Sequence, residues 1–126
     1  MRPLSGDARA VGAAGEDFAA GWLGRAGLRI LTRNYRCLGG EVDIVAEERG
    51  ELVFVEVRTR RRGGLVGPEE SVTRQKQARL VHAAEHYLQA VNAAERPWRI
   101  DLVAIEISPR GAVSRVEHLR NVVEWG

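Results

Sequence analysis

Hydrophobic positions along this chain change period several times, and each change marks an element. Over residues 8–26, Val11, Phe18, Trp22 and Ala26 recur at helical spacing and Gly27 supplies a stop, which predicts a first helix. Residues 28–37 are rich in β-formers and predict a strand, followed by a turn at Leu38-Gly39-Gly40. Residues 41–48 and 51–59 predict two strands joined by Arg49-Gly50, a two-residue hairpin turn. Residues 73–91 carry the strongest helical pattern, with Leu80, Ala84, Leu88 and Val91 on one face and Thr73 or Ser71 as the N-cap. Residues 98–107 and 113–122 predict two last strands, separated by Pro109-Arg110-Gly111. The order αβββαββ predicts one α/β domain over residues 1–126, a mixed β-sheet flanked by helices. Residues 1–7 are expected to be flexible, and residues 60–70 to form a mobile basic, glycine-bearing loop.

Two acids break this pattern. Leu52-Val53-Phe54-Val55-Glu56-Val57 is apolar at both parities, so both faces of the strand are expected to be covered. Glu56 interrupts it, as Asp43 interrupts Val42-Asp43-Ile44-Val45-Ala46. An unpaired buried carboxylate is costly, and a function sustains such a cost more readily than packing does. If Arg49-Gly50 is the turn, Glu48 faces Glu51, and the same register sets Asp43 opposite Glu56 and Glu41 opposite Arg58. Facing carboxylates need a cation between them or a retained proton, and Mg²⁺, which takes one or two carboxylates together with phosphate oxygens, suits the arrangement. The bland reading also stands. Asp101 and Glu106 interrupt another apolar strand, and Asp101 reads as structural or as support for the site; Glu41 and Arg58 read as an ordinary cross-strand ion pair.

Composition narrows the setting. With 126 residues and 44% hydrophobic positions the chain suits one packed core. No apolar run approaches the roughly 20 residues of a membrane span, and the polar start carries no export signal, so a cytoplasmic protein without membrane contact is expected. Cys37 is the only cysteine, which excludes an internal disulfide, and no Cys/His cluster has zinc spacing. His82 and His86 are four apart on the second helix, with no third ligand near them in sequence. The net charge is only +2, but Arg58, Arg60, Arg61 and Arg62 stand together ahead of Gly63-Gly64, and Lys76 is the sole lysine. Such a cluster suits an acidic partner.

The run Gly40-Glu41-Val42-Asp43-Ile44-Val45 followed by Leu52-Val53-Phe54-Val55-Glu56-Val57-Arg58 resembles the YraN-like family of bacterial proteins, uncharacterised protein family 0102. Gly15-Glu16-Asp17-Phe18-Ala19, Asn34-Tyr35-Arg36, Lys76-Gln77-Ala78-Arg79-Leu80 and Arg99-Ile100-Asp101-Leu102-Val103-Ala104 are similar as well, so the match spans roughly residues 12–107. That family is regarded as related to archaeal Holliday-junction resolvases within the PD-(D/E)XK nuclease superfamily. The resemblance therefore implies a restriction-endonuclease-like core and Mg²⁺- or Mn²⁺-dependent phosphodiester cleavage. It assigns Asp43 and Glu56 as metal-binding carboxylates, the Val57 backbone carbonyl as a further ligand and Glu16 as an additional acid. Arg58 stands where the motif has lysine.

That departure matters because arginine stays protonated and cannot act as a base, although it can grip a phosphate or offset developing charge. Lys76 either supplies the missing amine or is an ordinary solvated lysine. Glu16 lies off the stripe of Val11, Phe18 and Trp22, so it is either the additional acid or a water-facing residue. Arg58, Arg60, Arg61, Arg62 and Lys76 would contact nucleic-acid phosphates, DNA being favoured over RNA. A homodimer would be needed to cut a two-fold symmetric junction. Trp22, Trp98 and Trp125 serve either a dimer face or the core. Three functions remain open: a structure-selective endonuclease, a silent nucleic-acid-binding module on the same fold, and an adaptor whose acids are structural.

Overall fold

The computed structural model describes residues 8–61 and 73–123, with the side chains of residues 8–11 excepted. Its elements are α1 (Ala8–Arg25), β1 (Arg29–Cys37), β2 (Gly40–Glu48), β3 (Glu51–Arg61), α2 (Arg74–Ala90), β4 (Trp98–Ile107) and β5 (Val113–Leu119). The αβββαββ order is the one read from the pattern. The strands form one sheet in the order β1-β2-β3-β4-β5, antiparallel except for the parallel β3–β4 pair. The parallel pair requires a crossover, and α2 supplies it.

Each sheet face is closed by one helix. Leu23 and Ala19 of α1 pack on Ile44, Val53, Val55 and Val103, while Leu80, Ala84 and Leu88 of α2 pack on Val45, Phe54 and Ile100. Thr73 caps α2, its side chain accepting from the Lys76 N–H at 3.2 Å. Residues 52–56 are buried, so β3 is covered on both faces as expected. Phe54 stacks edge-on against Trp98 at 5.5 Å and Tyr87 at 5.7 Å, and Trp22 lies against the α1 core, which makes both described tryptophans packing residues.

Four expectations are corrected. Strand β3 continues through Arg60 and Arg61, paired with Glu106 and Ile107, because the parallel ladder with β4 runs on past Thr59; these two arginines are strand residues, not loop. Strand β5 stops at Leu119: Asn121 turns left-handed at φ 53° and gives its N–H to Asp101, so the chain leaves the ladder. The buried stripe of α1 is also rotated from the one read off its large residues. Ala19 and Leu23 are fully buried, whereas Ala26 is exposed. Val91, expected on the buried face of α2, is 48% exposed at the C-cap. Residues 1–7, Arg62, the rest of the 60–70 segment, Ser71 and Trp125 lie outside the described residues.

Candidate metal centre

The site starts from the hairpin register. Strands β2 and β3 pair from Glu48↔Glu51 to Ile44↔Val55, the register that the Arg49-Gly50 turn dictates; both turn residues have positive φ, 50° and 85°. The next position is Asp43 beside Glu56, and there the backbone ladder ends. Asp43 Oδ2 instead accepts the Val57 N–H at 2.8 Å, so a side chain bridges the strands where the backbones part.

Strand β2 is irregular at the same point. Val42 belongs to the α2 core although Ile44, two residues on, belongs to the α1 core. Across from Asp43 on β1, Asn34 has φ 53°, between the pairs Arg33↔Ile44 and Tyr35↔Val42. A local left-handed residue breaks the two-residue alternation. Asp43 thus sits at a seam between the faces, within electrostatic reach of Glu56 on the α2 side and of Glu16 on α1.

Glu16 is not water-facing. Glu16, Ala19 and Leu23 recur at i, i+3 and i+7, so Glu16 lies on the buried stripe of α1. Gly15 allows the approach: a Cβ there would fall 2.1 Å from Thr59 Oγ1 on β3. Burial, then the charge of Asp43, raise the Glu16 carboxyl above its ordinary value.

Among the described residues, Glu56 is the most perturbed acid. It is 5% exposed, and burial, then a hydrogen bond and repulsion from Asp43, lift its carboxyl to about 8. Two cations face one of its oxygens: Lys76 Nζ lies 3.4 Å and Arg58 Nη2 3.6 Å from Oε2. Among the described residues, three buried side-chain atoms have no hydrogen-bond partner: Glu16 Oε1, Glu56 Oε2 and Arg58 Nε. Buried polar atoms are nearly always paired, so three orphans in one region are unusual. The donors are hard oxygens, which fits Mg²⁺ or Mn²⁺. Among the described residues no group of three or more His, Cys, Asp or Glu closes on a single point. Asp43 and Glu56 interact directly, and Glu16 feels the charge of Asp43.

Alternation along β3 sorts the arginines. Arg58 and Arg60 share the face of Glu56, while Arg61 shares the opposite face with Val57 and Thr59. Arg62 is outside the described residues. Glu41 is corrected: it pairs with Arg79 at 3.2 Å and lies 3.9 Å from Arg36, and Arg58 turns to Glu56 instead. α2 lies close over this end of β2, since a Cβ on Gly40 would fall 2.8 Å from backbone atoms of Arg79 and Ala83, and Arg79 thereby reaches Glu41.

Asp101 belongs to the scaffold. Fully buried, it accepts from Arg99 Nε at 3.0 Å and the Asn121 N–H at 2.8 Å, and His118 Nε2 stands 2.7 Å away. Burial alone would raise its carboxyl; these hydrogen bonds hold it below the ordinary value. Arg99 also binds Glu48 at 2.8 Å and Glu51 at 2.5 Å, tying the hairpin turn to β4. Apart from an aspartate inside an apolar strand, no local pattern announces this hub. His86 stands 2.5 Å from the Tyr35 hydroxyl, and His82 lies beside Gly39.

An α/β sandwich with a carboxylate pair at an opened strand seam is the class of protein these features define. A family model described as "Uncharacterised protein family UPF0102" matches residues 15–105, and the chain belongs to that family. Similar relatives, each called a UPF0102 protein, occur in Roseiflexus castenholzii (43% identical, covering 96% of this chain and 98% of the relative), Beutenbergia cavernae (47%, 90% and 95%) and Nitratidesulfovibrio vulgaris (44%, 94% and 87%). No helix among the described residues is long and apolar enough to cross a membrane.

Proposed function

We propose that this protein is a divalent-metal-dependent endonuclease acting on structured nucleic acid, DNA in preference to RNA. The observation that carries the reading is the partly buried Asp43 set against the buried Glu56, whose Oε2 has no hydrogen bond among the described residues. Asp43 and Glu56 would hold Mg²⁺ or Mn²⁺, with the Val57 carbonyl and Glu16 as supporting oxygens. The ion, when bound, supplies a water of lowered pKa and offsets charge on the attacked phosphate.

The chain's own residues do the rest. The Val57 N–H fixes the Asp43 carboxylate, so one ligand is oriented before anything binds. Arg58, half-buried beside Glu56, grips the scissile phosphate and stabilises its developing charge. Arg60, on the same face, holds the neighbouring backbone, whereas Arg61 points to the other face of the strand. Contacts of this kind read shape more than sequence, which suits a branch, flap or junction. A two-fold junction would take two copies of the chain.

A second reading is favoured by one residue. Arg58 cannot give up its proton, so the fold would serve as a binding module if no other group completed the chemistry. A cleavage screen separates them, using branched, nicked, single-stranded and duplex DNA and RNA with Mg²⁺, Mn²⁺ or EDTA. Metal-dependent cutting, abolished by Asp43→Ala and by Glu56→Ala, is expected. Salt-sensitive binding without cutting in any metal would support the second reading, and absent binding would leave an adaptor role.

A further inference from the structure

Lys76 stands in the first turn of α2, its backbone fixed by the Thr73 cap. Its ammonium reaches 3.4 Å from Glu56 Oε2, and the Arg58 guanidinium lies 3.6 Å from the same oxygen. Both separations exceed an ordinary N–H···O hydrogen bond of about 2.7–3.2 Å, and Oε2 is bonded to neither. A point that draws two cations from two elements without bonding either has a strong negative potential. The cations differ in how they can leave. Arg58 is adjacent on the same strand and carries a rigid planar fork, whereas Lys76 is a compact charge on a flexible stem.

Resting on the metal-site reading above, we infer that Lys76 is a displaceable counter-ion: it neutralises the Asp43–Glu56 pair until a divalent ion takes its place, and then turns to a nucleic-acid phosphate. Ion and ammonium compete for Glu56 Oε2. A phosphate that engages Lys76 withdraws the competitor, so metal and nucleic acid strengthen each other's binding, and linkage makes the effect reciprocal. Lys76 is thereby a positioning residue that couples the two ligands, in addition to adding positive charge.

The test is a Mn²⁺ titration of the full chain without nucleic acid, following the free ion by electron paramagnetic resonance, on the natural protein, Lys76→Gln and Lys76→Arg. Lys76→Gln is expected to bind Mn²⁺ about three- to tenfold tighter, since a competing charge is gone, while Lys76→Arg stays near the natural value. In parallel, a fluorescein-labelled four-way DNA junction is titrated in Ca²⁺ and in EDTA. The natural protein should gain affinity with Ca²⁺ by a larger factor than Lys76→Gln does. The Lys76 side chain is 29% exposed, and a melting curve confirms that each variant is folded. Equal or weaker Mn²⁺ binding by Lys76→Gln overturns the inference and leaves the metal site standing. No Mn²⁺ bound by any of the three proteins overturns both.

Discussion

The backbone N–H of Val57 donates to Asp43 Oδ2 at 2.8 Å, so the strand that carries one acid of the site orients the other. A carboxylate that accepts this bond cannot swing away from Glu56, and their mutual repulsion is fixed by the backbone. Asp43→Asn keeps an oxygen for Val57 and removes the charge. Cleavage of a branched substrate is expected to fall by about a hundredfold or more, while the metal-free melting temperature stays level or rises. A destabilised Asn variant would show that the charge serves the fold and not the site.

Protonation gives a second prediction. The folded chain holds a proton on Glu56 up to about pH 8, whereas the unfolded chain releases it near the ordinary value of 4.5. The native state therefore binds more protons across that window, and metal-free stability declines as pH rises through it. Asp101 works in the other direction: its carboxyl is held below the ordinary value, so its contribution is present above that value and disappears on acidification. Urea melts from pH 5 to pH 8 should show a decline in the natural protein that Glu56→Gln flattens. Identical slopes in the two proteins would contradict the assignment.

Helix packing at the seam gives a third. A Cβ on Gly40 meets backbone atoms of α2 at 2.8 Å, which no side-chain rotation relieves. Gly40→Ala should cost about 1–3 kcal/mol in denaturant unfolding. Gly24, inside α1 with open space around its Cβ position, is the control: Gly24→Ala should stabilise by about 0.5–1 kcal/mol. Equal effects at the two positions would mean that α2 does not lie so close to β2.

Strand alternation gives a fourth. Arg60 shares the face of Glu56, and Arg61 does not. Arg60→Ala should lower the salt dependence of DNA binding by about one unit of slope, and Arg61→Ala should leave it nearly unchanged. The reverse order would place the nucleic acid on the α1 face.

Much of this was legible in the sequence because it is local. The Arg49-Gly50 turn dictates the register that brings Asp43 to Glu56, and Thr73 announces the start of α2. What the local pattern left open or misread was set by tertiary contact. Glu16 reads as solvent-facing when the stripe of α1 is judged from Phe18 and Trp22; the stripe that meets the sheet is built on Gly15, Ala19 and Leu23, and glycine and alanine carry little hydrophobic signal. Arg60 and Arg61 read as loop because they are charged, yet β4 pairs with them. No local pattern couples Lys76 to an acid on β3 twenty positions earlier; that proximity comes from the crossover.

The two-residue turn at Arg49-Gly50 has a kinetic consequence. Asp43 and Glu56 are only thirteen positions apart, so their meeting needs one short loop closure and no assembled core. The acidic pair would be in register as soon as this hairpin zips, ahead of the slower parallel docking of β4. Newly made chains would then carry their most repulsive contact early, and the arrival of α2 with its ammonium would relieve it late in folding.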